Sequence, residues 1–144
     1  MNNILLYFDV HPKAVQSVRF SRKGSYQPRD VKDWKSSIRK QAFVSLKNSY
    51  PEFQMFKDKP LGISVSFNYE PLKGWSKKKR AEFDKGAVFY KDTSPDLTDN
   101  LMKGFIDALT GIVWEDDSTI CYVDSRKVFD LKTGIKLSVW ELDI

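Results

Sequence analysis

The sequence predicts an α/β fold, one compact domain with helices packed against a sheet, and three observations carry that expectation. The chain has 144 residues, a length that buries one core and rarely supports two. The run Leu61-Gly62-Ile63-Ser64-Val65-Ser66-Phe67-Asn68-Tyr69 alternates strictly, the period-two signature of a strand with one face in a core. Leu101, Phe105, Ala108, Leu109 and Ile112 instead fall at i, i+4, i+7, i+8 and i+11, which is one stripe of a helix.

In chain order, residues 4–10 form an apolar, β-rich segment and are expected as the first strand. Residues 15–28 carry Arg19, Arg22, Lys23 and Gly24 among polar neighbours and read as a basic loop. Asp33 is placed to cap a helix over residues 34–49, with Ile38, Ala42, Val44 and Leu46 at roughly helical spacing, and Pro51 bars its continuation. After the strand at 61–69, a polar insertion at 73–85 holds Lys77-Lys78-Lys79-Arg80 and belongs on the surface. A second helix is expected over residues 99–110, ended by Gly111, with Asp99 and Lys103 opposite its apolar stripe. Glu115-Asp116-Asp117 is an acidic turn before a strand at 119–123 that contains Cys121, expected to be packed. Segments 128–131 and 135–139 flank Lys132-Thr133-Gly134, the pattern of an antiparallel hairpin. No repeat or linker divides the chain, so residues 1–144 are expected to form one domain.

Composition narrows the function classes. The formal charge of +5 favours a polyanionic partner, because a positive surface attracts phosphate over long range. No apolar run approaches the roughly 20 residues needed to cross a bilayer, and the amino terminus lacks a charged region before its short apolar stretch. A cytoplasmic protein with no membrane partner is expected. One cysteine, Cys121, and one histidine, His11, exclude an internal disulfide and a Cys/His zinc set. Any metal must sit on oxygen ligands.

The richest chemistry lies in Pro95-Asp96-Leu97-Thr98-Asp99-Asn100-Leu101-Met102-Lys103, then Asp107-Ala108-Leu109, then Gly111-Ile112-Val113-Trp114-Glu115-Asp116-Asp117. Two carboxylates sit at a helix start, a lysine lies one turn inside, and a second acidic pair follows the helix. Carboxylates of this kind suit a hard cation such as Mg²⁺, and a lysine beside them neutralises charge that develops on a phosphate. The same residues also suit a helix cap, a solvated i, i+4 pair and an ordinary turn, and spacing alone leaves both readings open.

This ordered set resembles the signature of the RusA family of Holliday junction resolvases: an Asp-x-Asp-Asn-x-x-Lys segment, an Asp-Ala-Leu helix end, and an apolar turn ending in Asp-Asp. The resemblance is close over residues 96–123 and follows in outline elsewhere. It implies a mixed sheet packed against helices and a homodimer that resolves four-way junctions, a form of branched DNA, by paired nicks with Mg²⁺. It further implies Asp96, Asp99 and Asp117 as metal ligands converging on one site, with Lys103 assisting catalysis. Asp116 stands as a reserve ligand. Asp96 and Asp99 are three apart rather than two, with Thr98 as the additional residue, which a wider turn capped by Thr98 would absorb. Members of the family are often carried by phages and prophages.

Basic residues supply candidate phosphate contacts: Arg19, Arg22 and Lys23 before the first helix, and Lys77, Lys78, Lys79 and Arg80 before the motif. Each group reads equally as a solvated face. Trp75 is weighed as a base-stacking ring and Phe83 as a core residue. Two other functions compete with junction resolution: a nuclease of the same chemistry on other branched DNA, and a non-catalytic DNA-binding module whose aspartates are caps and turn residues.

Overall fold

The computed structural model describes residues 3–14, 19–21, 24–26 and 29–142. Arg22 and Lys23 lie outside the described residues, and Arg19 is described in its backbone only. Strands β1 (Asn3–Phe8), β4 (Leu61–Tyr69), β5 (Ile120–Phe129) and β6 (Gly134–Glu141) form one mixed sheet in the order β1-β6-β4-β5. Strand β6 is antiparallel to both β1 and β4, whereas β5 runs parallel to β4. The stretch expected as a basic loop contains a two-stranded ribbon, β2 (Arg19–Ser21) paired with β3 (Gly24–Tyr26).

Helix α1 (Arg29–Ser49) and helix α3 (Lys103–Leu109) pack against one another and bury one face of the sheet. The stripe read from the sequence is the face that packs: Leu101, Phe105, Ala108 and Leu109 are all buried. Phe105 stands edge-on to Phe8 of β1 and to Phe67 of β4, with ring centroids at 5.3 and 5.9 Å. These edge-to-face contacts tie the motif helix to two strands at once. Helix α1 starts before Trp34, so Asp33 lies within it rather than capping it. Ile38, Ala42 and Leu46 are buried, but Val44 is exposed because Val31, not Val44, lies on their side of the helix.

The expected hairpin between the last two strands does not form, because β4 inserts between β5 and β6. A central strand fully apolar on one face satisfies two neighbours, which a two-stranded hairpin cannot provide. The connection at 130–133 crosses the end of β4 instead, where Asp130 N donates to Tyr69 O at 2.8 Å and Glu70 N to Thr133 Oγ1 at 3.2 Å. Cys121, expected to be packed, is exposed on β5 at the border of the sheet. Among the described residues no helix is long and apolar enough to cross a membrane.

Candidate active site

The first acidic pair is carried by a π-helical turn, Leu97–Met102, that leads directly into α3. Asp96 precedes it in an extended conformation, and its carbonyl oxygen accepts from Leu101 N at 3.1 Å, a bond spanning five residues instead of four. A π turn holds one more residue than an α turn. The additional Thr98 is therefore absorbed by widening the helix start, not by capping it: Thr98 lies inside the turn and is exposed. Leu101 and Met102 are buried and fix the turn to the core, while Asp96, Asp99 and Lys103 remain exposed. Asp107, further along the same face, pairs with Lys35 at 3.8 Å.

The turn is also fastened from β5. Lys127 Nζ donates to Thr93 O at 2.6 Å and to Pro95 O at 2.8 Å, the carbonyls three residues and one residue ahead of Asp96. Segment 89–91 runs along the same end of β5, with Phe129 N donating to Phe89 O at 2.9 Å and Lys91 N to Lys127 O at 3.0 Å. Sequence reasoning passed over Lys127. No local pattern marks it, because its register opposite the buried Phe67 exists only once β4 and β5 have paired.

The second acidic pair occupies a 3₁₀ turn, Asp117–Thr119, immediately before β5. Asp116 caps it: its Oδ1 accepts from Ser118 N at 2.9 Å, and that backbone N–H holds the carboxyl below the usual range. Asp116, the reserve ligand, thus has a structural task. Asp117 is exposed at the start of the turn.

Within one chain these two pairs do not meet. Asp96 is anchored beside Lys127 and Asp117 lies just before Ile120, and the intervening strand spans roughly 23 Å at the usual strand rise. Among the described residues no three Asp, Glu, His or Cys side chains stand close enough to enclose a metal ion. The cause is the motif helix itself, which starts at one end of the sheet and delivers the chain to the other, where Glu115 N donates to Phe56 O at 3.0 Å. Asp96, Asp99 and Asp117 are exposed and enter none of the ion pairs formed among the described residues, so a hard cation can reach them from solvent. The donor set therefore fits Mg²⁺ in kind, but a single chain presents it as two halves.

The basic run is helix α2 (Lys77–Asp84), capped by Ser76 Oγ on Lys79 N at 3.1 Å. It docks at the same end of β5 as Asp96. Trp75 packs on Phe83, Phe89 and Phe129 with centroids at 5.6, 5.3 and 4.9 Å, so its ring is engaged in packing rather than free for a base. Lys79 Nζ lies 4.3 Å from the Trp75 ring centroid, and Arg80 pairs with Asp84 at 3.3 Å. Lys77 and Lys78 are exposed and enter no ion pair among the described residues.

The family described as Endodeoxyribonuclease RusA matches residues 9–140. The chain belongs to the RusA family. A curated RusA protein, the crossover junction endodeoxyribonuclease rusA of Lactococcus phage r1t, is 33% identical over 102 residues, covering 69% of this chain and 68% of the relative. The RusA match spans both acidic turns, the lysine between them and helix α2.

Proposed function

We propose that this RusA-family chain is a Mg²⁺-dependent endonuclease that resolves four-way DNA junctions by paired nicks as a homodimer in the cytoplasm. The observation that carries the reading is the family match over residues 9–140, which includes every residue of the acidic motif. In this reading Asp96, Asp99 and Asp117 hold the cation, which supplies Lewis-acid activation of water and phosphate when bound. Lys103 follows Asp99 by one helical turn and offers an ammonium to the phosphate oxygens as charge builds on them. Water adds to phosphorus, one P–O ester bond of the strand breaks, and the departing oxygen takes up a proton in place of the one the water gives up. Lys77 and Lys78, together with Arg19, Arg22 and Lys23, supply phosphate contacts that are blind to sequence.

The separation of the two acidic pairs supports the dimer. Along residues 120–126 the outer border of β5 is uncovered among the described residues, since segment 89–91 reaches only 127–129. Cys121, Tyr122, Val123 and Asp124 there are exposed. Antiparallel pairing of two such borders about a two-fold axis near Val123 would set Ile120 of one copy beside Arg126 of the other. The partner subunit's Asp117 would then approach the Asp96 turn, and symmetry would build two such sites. Two equivalent sites are what paired nicks in a near two-fold junction require.

The test is cleavage of a labelled four-way junction with and without Mg²⁺, run beside flap and linear duplex DNA. Cutting of the junction only when Mg²⁺ is present is expected. Cutting of flaps in preference to junctions would move the reading to other branched DNA, and binding with no cutting under any divalent cation would make the chain a DNA-binding module.

A further inference from the structure

We infer that Lys127 is a positioning residue for the metal-binding turn, holding the backbone from which Asp96 projects. The inference rests on the nuclease reading above. Two of the three donors of its ammonium are used on main-chain carbonyls, Thr93 O at 2.6 Å and Pro95 O at 2.8 Å. Charge-assisted bonds this short are about twice as strong as neutral ones. Their acceptors are the third and first residues before Asp96, so one side chain on a rigid strand fixes both ends of the approach to the acidic turn. Lys127 is itself half-buried, in the pair of strands β4 and β5, and forms no ion pair with a carboxylate among the described residues.

That arrangement is unlike a surface lysine reaching for solvent or phosphate. The peptide nitrogen of Asp96 is bonded to the Pro95 carbonyl carbon, so a fixed positive charge lies within roughly 5 Å of it by bond geometry. The charge opposes the mutual repulsion of Asp96 and Asp99 while no cation is bound. Lys91 adds a second fastening to the same loop, its Nζ donating to Thr93 Oγ1 at 2.9 Å. It holds a side chain and not the backbone, which makes it the natural control. Lys127 touches no reacting atom. Its effect should appear in how well the turn gathers a cation, as with other groups that orient metal ligands from behind.

The experiment compares the full-length protein with Lys127→Met, which keeps the bulk but has no donor, Lys127→Arg, which keeps charge and donors, and Lys91→Met. Mn²⁺ binding is measured directly by calorimetry, the Mg²⁺ concentration for half-maximal junction cleavage is measured in parallel, and junction affinity is measured in Ca²⁺. Lys127→Met should weaken Mn²⁺ binding and raise the Mg²⁺ midpoint by about tenfold, with junction affinity within about twofold. Lys127→Arg should recover most of the loss, and Lys91→Met should lie near the wild type. An unchanged Mn²⁺ affinity and Mg²⁺ midpoint in Lys127→Met overturns the inference, as does a loss that Arg does not repair. If Lys127→Met does not fold, Lys127→Gln replaces it: an intermediate midpoint supports the role and a wild-type midpoint overturns it. A wild-type protein that neither binds Mn²⁺ nor cuts removes the nuclease reading and this inference together, whereas wild-type binding with an indifferent Met variant removes this inference alone.

Discussion

The indole N–H of Trp114 donates to Thr110 Oγ1 at 3.0 Å, and the same hydroxyl donates to Ile106 O at 2.9 Å. This pair closes the turn that separates the motif helix from the second acidic pair. Gly111, at a φ of 90°, makes the reversal possible, and its N–H meets Trp114 O at 2.7 Å. Asp117 is thus placed at the far end of the sheet by a buried aromatic lock rather than by a free loop.

Replacing Thr110 by valine keeps the shape and removes both bonds, leaving a buried indole N–H without an acceptor. The expected cost is about 1–3 kcal/mol, read as a fall in the thermal midpoint of roughly 2–4 °C for each kcal/mol. An unchanged midpoint would mean that the turn is held without the Thr110 hydroxyl.

Asp99→Asn and Asp117→Asn should each abolish cleavage of a four-way junction while leaving binding intact or stronger, because loss of a negative charge weakens metal binding and eases phosphate repulsion. The two inactive proteins, mixed and allowed to exchange subunits, should regain single nicks. In the mixed dimer one shared site carries both substitutions and the other carries neither. A mixture as dead as its components would place the site within one chain and sink the shared arrangement.

On α2, Lys79 is stacked on Trp75 and Arg80 is paired with Asp84, so the net attraction for DNA should come mainly from Lys77 and Lys78. The double change to alanine should weaken junction binding and reduce the salt slope by up to about 2. Measuring affinity across a salt series checks this, and a slope equal to that of the wild type would make the helix an idle solvated surface.

Tyr69 has a buried hydroxyl with no hydrogen-bond partner among the described residues, and burial pushes its pKa up to about 12. The unfolded chain ionises its tyrosines near pH 10, so between those values the native state binds the extra proton. Stability from this group is complete below about pH 10 and is lost as pH rises towards 12. Tyr69→Phe should be neutral or slightly stabilising at pH 7 and should flatten the alkaline decline in the thermal midpoint. A decline as steep as that of the wild type would assign it to other groups.

Much of the molecule was legible in the chain because the periodicity of apolar residues is a local property. The alternation at 61–69 and the stripe from Leu101 to Leu109 state which face is buried whatever the partner, and both became core faces. Phe83, expected in the core, is instead half-buried and packs edge-on against Trp75 outside the core cluster. Where a local pattern had two partners to choose from, the reading failed. Segments flanking Lys132-Thr133-Gly134 look like a hairpin to any local rule, yet each strand gains more by pairing with β4 than with the other.

The sequence by itself determined the fold class, the outward face of Asp99 and Lys103, the all-oxygen character of any metal site and the RusA motif, since each follows from residue identity and short-range spacing. Only the tertiary structure decided that the two acidic pairs lie at opposite ends of the sheet, that Thr98 is taken up in a π turn, and that Lys127 fastens the loop before Asp96. Asp99 and Asp117 are close in sequence, but a helix is stiff, and once Phe105 fixes it across the strands its two ends are held apart along its length. Distance between side chains is set by which rigid element joins them and where long-range packing lays it down, and no short window of sequence contains that information.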